Sequence, residues 1–329
     1  MDINAAGKSR VNTDREKLFS YFYMYGLYVV FLLLILIFTP INKNFLTLNN
    51  GINILQQTSS VGIAAAGLVF VLLTGGIDVS IGSTLFMTSI ICAMMTNAGA
   101  GLFAAVVTSI GCGAVIGAIN GFFIAKLRLV PLIVTLAMMF VIRGLTVAMV
   151  GIKTTMFNNP VGTFIARTRL FGYLPLVVIF MALTMLVCQL VFSKTLFGRQ
   201  LYAIGNNRIG AEKMGIKVSR NTWLAYIICG ALAGLSGLVS GAQVGGITPT
   251  FTTGQEFIII CATVLGGVSL FGGRGKAFPG AFMGVLIIMT IENGLVMART
   301  NMYAYQIVRG IVIFIAVMLD SAQNKGETR

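Results

Sequence analysis

The chain has 329 residues, of which 57% are hydrophobic and 10% charged, and its mean hydropathy is +0.92; a soluble domain carries roughly a quarter charged residues to cover its surface, so this is an integral membrane protein. The net charge of +14 does not point to nucleic acid, because the basic residues fall in short stretches between apolar runs and not on one soluble face. The five cysteines (Cys92, Cys112, Cys188, Cys229 and Cys261) all lie inside apolar runs, none forms CxxC, and there is no histidine, which removes zinc sites and Cys/His nucleophile pairs.

Residues 1–18 form a polar segment of mixed charge. Ten apolar segments follow, at 19–38, 51–73, 79–96, 102–125, 131–150, 173–192, 222–243, 256–269, 277–297 and 302–319. The first is long and lacks a small-residue cleavage site at the usual place, so it reads as an uncleaved span. The eighth is too short to cross by a helix alone. Several segments repeat small residues at helical spacing, as in Gly111, Gly113, Gly117 and Gly121, and again in Gly230, Gly234, Gly237 and Gly241; such stripes let helix backbones approach closely in lipid. The expected fold is an all-α, polytopic membrane bundle of about ten transmembrane helices with broken or re-entrant segments. One membrane domain covers 19–320, and 321–329 form a short tail.

The one long hydrophilic interruption is 193–221, which carries Lys194, Arg199, Arg208, Lys213, Lys217 and Arg220 against the single acid Glu212. Basic loops are retained on the cytoplasmic side. With the N terminus inside and ten spans through, this loop groups with Lys8, Arg10, Arg15, Lys17, Lys126, Arg128, Arg274, Lys276, Lys325 and Arg329. Lys43, Lys153, Arg167, Arg169 and Arg299 fall outside. The asymmetry predicts that both termini are cytoplasmic. Within the loop, Asn207 can cap a helix start, 208–214 can form two turns, and Gly215 can close them in the left-handed conformation. A short capped helix on that face is a docking element for a soluble partner.

Two glycine-rich breaks join apolar segments without room for a loop: Leu73-Thr-Gly-Gly-Ile-Asp-Val-Ser-Ile-Gly-Ser83 and Leu265-Gly-Gly-Val-Ser-Leu-Phe-Gly-Gly-Arg-Gly275. Irregular backbone at membrane depth must be buried in protein or line a watery cavity. Asp78, the lone acid between Glu16 and Glu212, either caps the third helix or faces a pathway, and the two roles are compatible where a helix end faces the pathway. Gly75, Gly76, Asp78, Ser80, Ser83, Gly266, Gly267 and Ser269 are the pathway or gate candidates. Gly272-Gly-Arg-Gly-Lys276 fails as a phosphate loop, because Leu270 stands where the first Gly belongs and Ala277 follows the Lys. Glu292 and Asn293 sit in one span and Gln306 and Arg309 in the next, where an acid-to-Arg pair would be structural glue. Asn53, Gln56 and Gln57 open the second span, Asn120 lies in the fourth and Gln243 ends the seventh; amides of this kind bind sugar hydroxyls. No close carboxylate pair or nucleophile elbow points to an enzyme.

The first break resembles the LTSGIDLSVGS-type signature of ribose-type sugar permeases of ATP-binding-cassette importers. Phe197-Gly-Arg-Gln-Leu-Tyr-Ala-Ile-Gly-Asn-Asn207, with Ala211 and Met214-Gly-Ile216, is similar to that family's GRYIYALGGN…A…SGI segment, and 264–275 to its VLGGTSLAGGKG segment. Tyr305, Gln306 and 316–320 also fit. Asn206 departs from a family Gly. The resemblance implies a permease subunit that works as a homodimer or with a similar partner. It receives a monosaccharide from an extracytoplasmic binding protein and is driven by separate cytoplasmic ATPase subunits, which bind the ATP; the chain itself needs no cofactor. It implies a coupling element at Gly198, Arg199, Gly205, Asn207, Arg208, Ala211, Glu212 and Gly215, and a membrane domain with little sugar affinity of its own. The alternatives are the same machine with another cargo, such as a branched-chain amino acid or a signalling sugar, and an ion-coupled carrier, for which only Asp78, Glu256 and Glu292 would be on hand.

Overall fold

A computed structural model describes residues 26–301 and positions 307, 308, 310, 311, 314 and 318. The described helices in chain order are α1 (Gly26–Ile41), α2 (Leu48–Leu73), α3 (Ile81–Asn97), α4 (Leu102–Gly121, prolonged by a π-turn Phe122–Lys126) and α5 (Pro131–Val150). They continue with α6 (Pro160–Arg167), α7 (Leu176–Lys194), α8 (Leu196–Asn206), α9 (Arg208–Lys213), α10 (Val218–Val244), α11 (Gln255–Leu265) and α12 (Phe282–Met297, preceded by a π-turn Ala277–Ala281). Two-residue strands β1 (Thr155–Met156) and β4 (Gly246–Ile247) pair antiparallel, as do β2 (Arg169–Leu170) and β3 (Leu174–Pro175). This is an all-α polytopic membrane bundle.

Among the described residues six helices are long and apolar enough to cross a membrane, namely α2, α4, α5, α7, α10 and α12 with their π-turns, while α1, α3 and α11 are shorter. The expected count of about ten spans is not confirmed, because the tenth segment, 302–319, lies largely outside the described residues, as do the expected pairing with Arg309, the N-terminal segment and the tail. The eighth segment is α11, 11 residues long and about 16 Å at 1.5 Å per residue. It nevertheless belongs to a crossing. Gly245 at one end accepts from the Phe157 amide, and Gly273 at the other donates to the Leu73 carbonyl, so 245–273, with α11 inside it, runs from one end of the bundle to the other.

Helix α2 is the central post, its most apolar window 83% buried, whereas α5 is 17% buried and peripheral. Its start is capped by Thr47, whose hydroxyl accepts from the Asn50 amide. Its inner hydroxyls fold back on the helix, Thr58 onto the Ile54 carbonyl and Ser59 onto Leu55, which hides polar groups that lipid cannot satisfy. Ser236 on α10 donates to the Ser60 carbonyl at 2.6 Å, and Ser89 on α3 donates to the Gly237 carbonyl at 2.6 Å. Asn50 donates to Asn293 Oδ1 at 3.0 Å, joining α2 to α12. The glycine stripes of α4 and α10 face each other: a Cβ on Gly113 would strike the Gly230 carbonyl, one on Gly117 the Tyr226 carbonyl, and one on Gly234 the Ser109 carbonyl.

The bundle has two chemically different ends. At one, Ser219 donates to the Ala125 carbonyl, Trp223 Nε1 to the Ala118 carbonyl, and Tyr202 to the Gly275 carbonyl, gathering the basic segments 126–128, 194–220 and 274–276. At the other, Asn97 donates to the Met156 carbonyl, Asn159 to Thr96, and Asn42 to the Met297 carbonyl. Because the α4–α10 contact is backbone on backbone, Gly230→Val should lower stability by about 3 kcal/mol, read as a fall in the detergent melting temperature. Gly111→Ala, where a Cβ meets nothing within 4 Å, should stay within about 0.5 kcal/mol of the parent.

Candidate functional site

The basic loop folds into α8 and α9. Thr195 caps α8 by accepting from the Gly198 amide at 3.1 Å, and Asn207 caps α9 by accepting from the Gly210 amide at 2.8 Å. At the far end of α9 the Ile216 amide donates to Ala211 O and the Gly215 amide to Glu212 O, a six-to-one and five-to-two pair that closes the helix with Gly215 at φ +80°. Ile216 packs with buried Ile204, Ala211 and Val218 under the helix. Arg199 and Arg208 point outward, and Arg208 lies 4.0 Å from Glu212 on the exposed face. Caps at both ends and a buried underside make this a stiff module with a charged outer surface.

The inner surface of α8 meets both glycine breaks. A Cβ on Gly205 would strike the Leu73 carbonyl and the Gly273 nitrogen; one on Gly272 would come within 2.9 Å of Gly205 Cα and of the Gly75 nitrogen; and one on Gly273 would strike Asn206 Oδ1. The Gly273 amide donates to the Leu73 carbonyl at 3.1 Å. Nearby, Tyr202 donates to the Gly275 carbonyl at 2.6 Å, and burial pushes its phenol above its ordinary range. Gly75, Gly205, Gly272 and Gly273 thus share one backbone junction. Gly266 lies one step away, against the Gly280 carbonyl that precedes α12, followed by Gly267 at φ +86°. Ser269 braces the second break by accepting from the Phe271 amide at 3.2 Å, while its own amide donates to the Arg274 carbonyl.

Asp78 sits deeper, 2% exposed. Its Oδ1 accepts from the Ser80 amide at 2.9 Å and the Ser80 hydroxyl at 2.6 Å, and Asn120 Nδ2 donates to that hydroxyl at 2.8 Å. This is a turn closed two residues ahead, leading the chain into α3. Ser83 donates back to the Ser80 carbonyl, Tyr226 donates to the Ile77 carbonyl at 3.1 Å, and a Cβ on Gly76 would lie 2.7 Å from the Tyr226 oxygen. The first break is therefore pinned to α4 and α10.

A third feature lies toward the other end. Residues 248–254 dip from β4 to the start of α11. There buried Glu256 lies with Oε2 against Gly82, next to the start of α3. Its Oε1 accepts from the Gly254 amide at 3.3 Å. Gly237 of α10 packs on Leu85 and Thr88, about a turn above Gly82, so this meeting of two helix starts is near mid-depth. A carboxylate between two N-termini offsets their positive ends. Thr252, at φ +61°, donates to the Gly82 carbonyl at 2.7 Å. Arg143 of α5 holds the same loop, donating to Thr253 Oγ1 at 2.9 Å and resting 5.5 Å from the Phe86 ring centroid. Beside this loop opens a cavity of about 400 Å³ between α2, α10, α11 and α12. Its polar lining is Asn53, Gln56, Gln57 and Ser60, with Ser240, Gln243, Gln255 and Glu292; Val61, Val244, Ile258 and Met289 complete it. None of the eight pathway candidates lies on that lining.

The sequence profile of the family described as branched-chain amino acid transport system / permease component matches residues 50–317. The chain belongs to this permease family. The permease is similar to the ribose import permease protein of Escherichia coli strain K12, at 36% identity over 302 residues covering 89% of this chain and 92% of that protein. It is 38% identical over 296 residues to the ribose import permease protein of Bacillus subtilis strain 168, covering 90% and 92%. It is 33% identical over 329 residues to the D-allose transport system permease protein of Escherichia coli strain K12, covering 99% and 100%. No solved structure matches the chain.

In this permease the sequence marked the loop and both breaks, but not their convergence, nor the contact between Glu256 and Gly82. The cavity also went unread as a unit, although Asn53, Gln56, Gln57 and Ser60 stand at one-turn spacing, which is a legible signal. Removing the α9 cap with Asn207→Ala should cost about 1 kcal/mol and speed amide exchange across 209–216 roughly fivefold. Gly215→Ala, where nothing lies within 4 Å of a Cβ, should cost about 1–2 kcal/mol through backbone strain alone, read by the same exchange experiment.

Proposed function

We propose that the chain is the membrane permease subunit of an ATP-binding-cassette importer that moves a monosaccharide, a ribose-like pentose or a hexose, inward across a bacterial inner membrane. It has no ATPase site of its own. Separate cytoplasmic ATPases dock on α8–α9, a binding protein delivers the sugar at the opposite end, and the permease pairs with a second copy or a similar chain. One permease domain spans 19–320 with 193–221 as its coupling loop, and both termini are cytoplasmic. The observation that carries this reading is the Gly205 junction, where a capped, outward-charged helical module is in backbone contact with both breaks. The sugar follows from the relatives, whose names state ribose import and D-allose transport.

The coupling is mechanical. Closure of the ATPases displaces α8–α9, here assigned as the coupling element from Gly198 to Gly215. Because the caps keep the module stiff and Gly205 leaves no slack, the displacement reaches Leu73 and Gly272–Gly273 together. The breaks (Gly75, Gly76, Asp78, Ser80 and Ser83; Gly266, Gly267 and Ser269) then shift α3 and α12 between two packings that expose the pathway to one side or the other.

The test is uptake in proteoliposomes holding this chain with its ATPase and binding protein. Uptake of a pentose or hexose should require all three components and ATP. Replacing 207–215 by a flexible Gly-Ser segment should abolish both uptake and copurification of the ATPase. Uptake by the chain alone on an ion gradient would overturn the proposal. Gly205→Leu should reduce uptake at least tenfold while the ATPase still copurifies, because α9 and its outer face are untouched.

A further inference from the structure

Carboxamides facing lipid are costly, and inside a bundle they either bond to protein or face water. Asn53 and Gln57 are exposed on α2, one turn apart, and they face the 400 Å³ cavity without a hydrogen bond to any described residue. Gln255, at the start of α11, lines the same space, and its buried Oε1 has no hydrogen-bond partner among the described residues. Gln243 closes the opposite wall, its Nε2 donating to the Gln56 carbonyl at 2.8 Å, which fixes the side chain and leaves its oxygen as an acceptor. Glu292 adds a carboxylate.

We propose that this cavity is a solute-binding site within the single subunit, built for a neutral polyhydroxylated molecule, with Asn53, Gln57, Gln243, Gln255 and Glu292 as its hydrogen-bonding set. The cavity falls within the roughly 300–1,000 Å³ range of small-molecule sites. A carboxamide both donates and accepts, and so does a hydroxyl, so a ring of amides matches a polyol whichever way its hydroxyls rotate. Among the described residues the lining carries no Lys or Arg, so it offers no cation to an anionic group, and a phosphorylated or acidic sugar is disfavoured. Among the described residues it carries no aromatic ring either, so they supply no stacking platform to hold a sugar tightly, as suits a site that must release its cargo. The family resemblance implied a membrane domain with little sugar affinity of its own; packing brings polar groups of four helices around this one cavity.

The identity of the polyol rests on the transport reading above, but the site can be tested apart from it. Gln57→Cys, in the full chain with Cys112 changed to Ser, should react with a water-soluble methanethiosulfonate reagent. Saturating ribose or D-allose should slow that reaction at least threefold, and ribose 5-phosphate or gluconate should not. Equal labelling with and without sugar, or equal protection by the anions, would overturn the proposal. In the reconstituted importer, Gln57→Leu and Asn53→Leu should each lower sugar uptake at least fivefold while copurifying with the ATPase, and unchanged uptake would count against the site. A wild-type importer that moves no monosaccharide would refute the transport reading alone, and the cavity would still stand or fall on the labelling.

Discussion

Backbone that leaves a helix inside a membrane must find its hydrogen bonds in protein, and this permease meets that demand by making its two breaks satisfy each other. The end of α2 leaves the Leu73 carbonyl open, and the Gly273 amide from the other break fills it. That bond requires two chain segments to lie backbone to backbone, which only glycine allows at Gly75, Gly272 and Gly273. The same closeness admits α8 at Gly205. The position of the loop module, the start of α3 and the approach to α12 all follow from this one junction.

A second consequence concerns rigidity. Close packing in lipid gains nothing from a hydrophobic driving force, so it relies on contact area and interhelical hydrogen bonds. The α4–α10 glycine stripes supply the contact; Ser236 to Ser60, Ser89 to Gly237 and Asn50 to Asn293 supply the bonds. These tie α2, α3, α4, α10 and α12 into a block. The short helices α3 and α11 begin inside that block, at the Asp78 turn and at Glu256. Both helix starts are therefore held by specific side chains and are not free loops.

The polar groups divide by use. Asp78 and Ser80 are consumed in turning the chain, with Asn120 completing the cluster. The amides of α2 and α11 face open space instead. Composition does not separate these two uses, because both consist of ordinary polar residues in apolar runs. What separates them is whether a partner lies within reach once the helices are packed.

Much of the architecture was legible in the chain itself. Apolar runs, small-residue stripes and the basic loop are local properties, and lipid imposes helices on the first, close crossings on the second and an end of the bundle on the third. The α9 caps at Asn207 and Gly215 were likewise readable, since a cap depends on a few adjacent residues. The three motifs identified the permease family. Tertiary structure alone decided that the eighth segment is a short helix within a run, 245–273, that joins the two ends of the bundle, that residues as distant as Gly75, Gly205 and Gly272 share one junction, and that amides from α2, α10 and α11 join a carboxylate from α12 around one cavity. These depend on helix rotation and depth, which are set by mutual packing of segments far apart in the chain, and no local pattern encodes them.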